Sequence, residues 1–205
     1  MIDEVNDPAQ PMVTDPFSDT GPVREWLEQS DGPLFMEALG DVHGATVLDV
    51  GVGTGRVAKK ILEHGCVHLL GIDVSPETVL RARHNLSNYR NVEIRQADIA
   101  VYQPEPIFNL AYLVWTIFHI DDKPRALANI ARSLRPGGRL VVSVERVDEW
   151  LDYGPRRIQQ FPITAEELIC LLEACGWRIQ TCVPVYDAMA GGHSLLTTII
   201  AAESA

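Results

Sequence analysis

Three acids and three glycines stand where a folded chain could turn them toward one ligand. The stretch "VLDVGVGTGRVA", Val47 to Ala58, ends an apolar run with Asp49 and then places Gly51, Gly53 and Gly55 at alternate positions. Glycine adopts backbone conformations closed to other residues and admits a ligand close to the main chain, at an entropic cost. The spacing bears on which ligand. The dinucleotide fingerprint is G-x-G-x-x-G, and the triphosphate loop is G-x-x-x-x-G-K-[ST]. Here Arg56 stands where the third dinucleotide glycine belongs, and no triphosphate loop occurs. A carboxylate repels polyphosphate and attracts an ammonium or sulfonium, so Asp49 points to a ligand with a cationic end. Asp73 closes "LLGID" at about the 20-residue interval of an acid that grips ribose hydroxyls. Asp98, in "RQADIA", can accept from the exocyclic amine of an adenine. An adenine, a ribose and a cationic tail would satisfy all three acids.

Such acids need strands to carry them, and the chain alternates strand and helix patterns from Thr46 onward. "TVLDV", "VHLLGID", "NVEIRQAD", "FNLAYLVW" and "GRLVVSVE" read as strands. Between them lie helices: "GRVAKKILEHG" closed by Gly65, "SPETVLRARHNL" with Ser75 as N-cap and Pro76 behind it, and "KPRALANIARSLRPGG" ended by Pro136 and its glycines. "TAEELICLLEACG" opens with a capping box, Thr164 to Glu167. "WRIQTCVPVY" and "SLLTTIIAA" have no helix between them, so they pair antiparallel. The expected fold is α/β: a doubly wound, mostly parallel seven-stranded sheet with helices on both faces and an antiparallel last strand. Ligands of such sheets bind at the carboxyl ends of the strands, which is where Asp49, Asp73 and Asp98 fall. Ahead of this unit, "PVREWLEQSDGPLFMEALG" reads as one or two short helices. Residues 1–21, acidic and proline-rich, read as a flexible arm or lid before a single domain spanning 22–205.

These motifs resemble the class I S-adenosylmethionine-dependent methyltransferases. "VLDVGVGTGRVA" is similar to the family's first motif, "GIDVS" to the second, "QADIA" to the adenine-contacting third, and "FNLAYLVWTIFHI" to that of the fourth strand. "LRPGGRLVVSV" is similar to the signature around the fifth strand, so the likeness is strong from about Ala45 to Glu145. The resemblance implies S-adenosyl-L-methionine as cofactor and a Rossmann-like fold. It assigns Asp49, Gly51, Val52, Gly53 and Gly55 to the loop at the methionine part. It gives the ribose to Asp73, a flank of the adenine to Val74, and the adenine edge to Asp98 and the Ile99 amide. Leu113 and Val114 would lie beside the sulfonium. Two departures are visible: Asn109 replaces the usual aspartate at the start of the fourth strand, and Val52 stands where a small residue or Cys is common.

The acceptor is narrowed by exclusion. Amino-methylating nucleic-acid enzymes place [DN]-P-P-[FY] after the fourth strand, where this chain has "LVWTIF". A net charge of -11 argues against nucleic acid and anionic membranes as partners. Asp121 and Asp122 do not form the acid cluster of metal-dependent catechol-type enzymes, so no metal is expected. What remains is a small-molecule methyl acceptor, with a protein or peptide acceptor behind it. A nicotinamide dehydrogenase, a non-catalytic S-adenosylmethionine-binding protein and an aminopropyl-transfer enzyme are the rival classes. Titratable candidates near the mouth are His119, His193, Tyr153 and Glu145, with His119 and His193 the two candidate bases. Trp26, Trp115 and Tyr153 could wall an apolar acceptor pocket. No apolar run is long enough for a membrane span, and no export signal opens the chain. The four cysteines lack C-x-x-C spacing, so they read as reduced thiols in a cytoplasmic protein.

Overall fold

A computed structural model describes residues 29–105, 107–153, 156–187 and 194–204. Helix α1 (Pro33–Leu39) precedes a βα series: β1 (Thr46–Val50), α2 (Arg56–Glu63), β2 (His68–Asp73), α3 (Pro76–Asn85), β3 (Val92–Gln96) and β4 (Phe108–Leu113). After a 3-10 turn (Ile117–His119) come α4 (Lys123–Ser133), β5 (Leu134–Glu145), β6 (Trp150–Tyr153), β7 (Arg156–Gln159), α5 (Ala165–Ala174), β8 (Trp177–Tyr186) and β9 (Leu195–Ser204). Seven strands form one sheet in the order β3-β2-β1-β4-β5-β9-β8, and β6 and β7 form a separate hairpin. β9 runs antiparallel to both of its neighbours, while β1 to β5 are parallel. The order reverses at β1, between β2 and β4, which places the switch point over the glycine loop.

The central strands alternate their side chains between two apolar layers, as a sheet covered on both faces requires. Val47, Leu110 and Tyr112 face one layer with Phe35, Ile61 and Leu86 from α1, α2 and the end of α3. Leu48, Ala111 and Leu113 face the other with Leu127, Ile130 and Leu168 from α4 and α5. The helix starts use the expected chemistry. Ser75 accepts from the Thr78 amide, and Thr164 and Glu167 complete a reciprocal capping box. Asn109 ties the start of β4 to the start of β1, since its Oδ1 accepts from the Thr46 amide and hydroxyl, both at 2.9 Å.

Two expectations need correction. The helix read as running to Pro136 stops at Ser133, because Leu134 already pairs with Phe108. Pairing then resumes between Arg139 and Leu110, so the Pro-Gly-Gly segment bulges out of a strand rather than ending a helix. The β6–β7 hairpin was not anticipated. Its return stretch is fastened to the turn after β4: the Phe161 amide donates to the Phe118 carbonyl, and buried Lys123 donates to the Ile120 and Phe161 carbonyls, all at 2.7 Å. Among the described residues no helix is long and apolar enough to cross a membrane. None of the four cysteines is bridged.

The segment before β1 is held to α2 by charge and to the sheet by apolar packing. Asp31 is fully buried and takes ion pairs from Arg56 and from Lys60, the latter at 2.9 Å; these two cations share a face of α2 one turn apart. Exposed pairs contribute roughly 0.2–1 kcal/mol, and removing one partner of a buried pair costs roughly 3–5 kcal/mol. This pair lies between those limits, since the cations keep some contact with water and Asp31 does not. Asp31→Ala is therefore expected to lower stability by about 2 kcal/mol, read as a lower urea midpoint at unchanged slope.

Candidate functional site

The loop after β1 turns through left-handed backbone at Gly51, Gly53 and Gly55 (φ of 80°, 55° and 88°). It is pinned from β2, because the Gly51 and Val52 amides both donate to the Ile72 carbonyl, at 2.8 and 2.9 Å. Gly51 lies so close to the turn after β4 that a Cβ there would fall 2.2 Å from Thr116 Oγ1. Val52 points down into the core, packed over Gly71 of β2. Gly55 caps α2, and a Cβ there would strike Leu86. At Gly51 and Gly53 the loop thus presents main chain to the space above the strand ends.

That space is a cavity of about 680 Å³, and Asp49, Asp73 and Asp98 all line it. Asp49 is buried at 2% exposure, and burial pushes its carboxyl up to about 7. The Tyr112 hydroxyl, which donates to Asp49 Oδ2 at 2.6 Å, partly opposes that rise, and the charge of Asp73 adds to it. Asp73 Oδ2 accepts from the Gly53 amide at 3.1 Å and Oδ1 from the Ser75 amide at 3.0 Å. Burial raises its carboxyl and these amides counter the rise. A carboxylate has about four acceptor sites, so a pair of hydroxyls can still be met. Asp98 is exposed and folds its loop by accepting from the Ala100 amide at 2.8 Å. The Ile99 carbonyl beside it is fixed by buried Asn129 of α4 at 2.7 Å, a support that the sequence reading did not identify.

Beyond the loop and the acids, the cavity is also walled by Val114, Trp115, Thr116, His119 and Ile120, with Ile158 and Gln159 of the hairpin. Trp115 has φ of 54°, rare for a bulky residue. Its amide donates to Ser143 Oγ at 3.0 Å, and Ser143 Oγ donates to Glu145 Oε1 at 2.5 Å. Glu145, buried at 3% exposure and pushed up to about 7 by burial, thus stands behind the wall as a brace. His119 also lines the cavity, and burial pushes it down to about 4, so its imidazole is neutral at ordinary pH. Its ring lies against Phe118 at 4.4 Å.

Of the residues singled out from sequence, Asp49, Gly51, Val52, Gly53, Asp73, Val74, Asp98, Ile99, Val114, Trp115 and His119 all border this one cavity. Leu113 does not; its side chain is buried in the layer beneath α4 and α5. Gly55 sits one step behind the lining, as the cap of α2. Tyr153 belongs to β6 by its backbone, and its side chain is outside the described part. Trp26, His193 and the 1–21 arm lie outside the described residues. Sequence reasoning missed Tyr112, Thr116, Ile158 and Gln159. Tyr112 was hidden inside an apolar run, although its register opposite Asp49 follows once β1 and β4 are paired.

Residues 47–138 match a family model described as a methyltransferase domain. Over 160 residues the chain is 37% identical to O-methyltransferase rstn1 of Aspergillus nomiae, covering 70% of this chain and 68% of that protein. An O-methyltransferase of Pyrenophora dematioidea is 34% identical over 183 residues, covering 78% and 66%. The chain thus spans about two thirds of the length of these relatives. A putative S-adenosylmethionine dependent methyltransferase structure from Listeria monocytogenes superposes with a TM-score of 0.76 over 86% of this chain and 98% of that one, at 20% identity, a likeness of fold. Kinship of that extent carries the conclusion toward which three strand-end acids around one cavity had already pointed: the chain belongs to the class I S-adenosylmethionine-dependent methyltransferases.

Proposed function

We propose that the protein transfers a methyl group from S-adenosylmethionine to a small-molecule acceptor, with hydroxyl oxygen the first acceptor atom to test. The observation that carries this reading is the convergence of Asp49, Asp73 and Asp98 on one cavity beneath a glycine loop. The residues present fit the cofactor. A buried acid with one oxygen that accepts from none of the described residues suits an ammonium group, Asp73 suits ribose hydroxyls, and exposed Val74 and buried Ile99 offer apolar flanks for a purine. The pinned main chain at Gly51 and Gly53 lets a ligand approach closely. When bound, the cofactor supplies an electrophilic methyl on a sulfonium sulfur.

The chain's own contribution is chiefly placement. Trp115, Ile120 and Ile158 give the acceptor side an apolar wall that excludes water, and Gln159 offers it a polar contact. Holding two reactants in register can supply roughly 7–11 kcal/mol of the barrier. His119, neutral and held near 4, adds no like charge beside a sulfonium and can accept a hydrogen bond from a hydroxyl acceptor. Its low basicity makes it a weak general base, so most of the rate rests on positioning. The hydroxyl reading is supported by the two relatives named O-methyltransferases.

Calorimetry with S-adenosylmethionine, S-adenosylhomocysteine and NAD tests the cofactor assignment. Binding of the first two without the third is expected; NAD binding alone overturns the reading. A panel of hydroxylated aromatic acceptors, followed by radiolabelled methyl, tests the transfer. General-base help is worth about 10²–10⁴-fold. His119→Ala is expected to lose no more than about 10²-fold at unchanged cofactor affinity; a loss beyond about 10⁴-fold would make His119 an essential base.

A further inference from the structure

The cofactor-side acid has one oxygen spoken for and one open. Asp49 and Tyr112 are directly opposed in the β1–β4 register, and the tyrosine hydroxyl donates to Asp49 Oδ2 at 2.6 Å. No hydrogen bond from the described residues reaches Oδ1, and Asp49 borders the cavity. Tyr112 is itself completely buried, and Phe35 of α1, also at 0% exposure, meets its ring edge to face at 6.1 Å. A tyrosine so enclosed has little freedom to swing away, so its hydroxyl points one way.

We infer that Tyr112 is a positioning residue for the cofactor: it commits one oxygen of Asp49, aims the other at the ligand's ammonium group, and so sets how readily the acid meets that cation. The inference rests on the proposed cofactor reading. The surroundings of Asp49 make the tyrosine's part separable. From β2, Asp73 opposes ionisation of Asp49 by like charge. From α2, Arg56 acts on Tyr112, as does the buried Cys66 thiol from the turn before β2, and α1 contributes only the apolar ring of Phe35. Tyr112 is the one hydrogen-bond donor to the Asp49 side chain among the described residues, and burial with the neighbouring acid holds its own ionisation well above the ordinary range. It therefore remains a donor throughout the usable pH range.

An ammonium ligand binds the ionised acid, so affinity should rise with pH as Asp49 loses its proton near 7. Deleting a donor to a carboxylate favours the protonated form. The test is S-adenosylhomocysteine, which keeps the ammonium, titrated calorimetrically from pH 5.5 to 8.5 into wild type, Tyr112→Phe and Asp49→Asn. For Tyr112→Phe the rise is expected to move up by about one pH unit. That makes binding about fivefold weaker at pH 7 and within about twofold of wild type at pH 8.5, because apparent affinity scales with the competent fraction. Asp49→Asn is expected to bind weakly without the rise. A Tyr112→Phe curve that coincides with wild type, or is weaker by one factor at every pH, overturns the inference while leaving the cofactor reading intact. An Asp49→Asn curve that keeps the wild-type rise also overturns the inference, because the rise then belongs to another group, whereas no binding to wild type at any pH overturns the cofactor reading beneath it. If Tyr112→Phe does not fold, Phe35→Leu serves, since it keeps the hydroxyl but frees the ring. An upward displacement smaller than one pH unit is then expected, and none overturns the inference.

Discussion

Gly51→Val is expected to abolish S-adenosylhomocysteine binding and to lower stability by about 3 kcal/mol. Two effects add. At φ of 80° a side chain carries the left-handed penalty of roughly 1–2 kcal/mol. Its Cβ would also fall 2.2 Å from Thr116 Oγ1 and 2.6 Å from Thr116 Cγ2, and overpacking of a fixed site typically costs about 1–3 kcal/mol. The loop cannot shift to relieve the clash without breaking the two amide bonds to the Ile72 carbonyl. Gly53→Ala is the informative contrast. Its Cβ would meet nothing nearer than the Gly51 carbonyl at 4.0 Å, so only the backbone penalty applies and the fold should persist. Thermal unfolding and calorimetry on the two variants check this; equal damage in both would mean that the approach to Thr116 is unimportant.

Asp73→Ala is expected to weaken cofactor binding by roughly 1.5–3 kcal/mol, or about 10- to 150-fold, the loss typical of hydrogen bonds to a charged group. The same carboxylate receives the Gly53 and Ser75 amides, so the variant also loosens the loop over the cavity. Asp73 ends β2 outside both apolar layers, so the sheet should survive. Unchanged affinity in a folded variant would remove Asp73 from the site.

Much of this arrangement was legible because it is written in short-range chemistry. Alternation of strands and helices, the Ser75 cap and the Thr164–Glu167 box depend on neighbours a few residues apart, and they hold in the structure. Asp49 and Asp73 could be placed because strand ends in a doubly wound sheet face a common crevice. What escaped depends on distant pairing. Pro136 and the two glycines after it read as a stop, yet Leu134 is held by Phe108, and no local signal reports that partner. The hairpin stretch "EWLDYGPRRIQ" lacks a clean apolar face, so nothing marked it as strand; the chain just after it is fastened at Phe161 by Lys123 and Phe118 from elsewhere in the chain. Tyr112 looked like core because it is core, and its bond to Asp49 spans 63 residues. The neutrality of His119 likewise arises from burial, which its neighbours in sequence do not disclose.

The position of β9 constrains the order in which this chain can assemble. The final strand of the sheet is not an edge: it lies between β5 and β8, pairing Arg139 with Glu203 on one side and Trp177 with Ser204 on the other. Until Leu195–Ser204 are available, β8 has no neighbour in the sheet and β5 carries an open edge. A nascent chain can form the glycine loop and the acids around it early, from contacts local to β1–α2–β2, and still hold an unclosed half-sheet. Such an edge invites pairing with another chain. Removing the strand Leu195–Ser204 should therefore yield an aggregation-prone species rather than a trimmed enzyme, even though Asp49, Asp73 and Asp98 of the cavity would still be encoded.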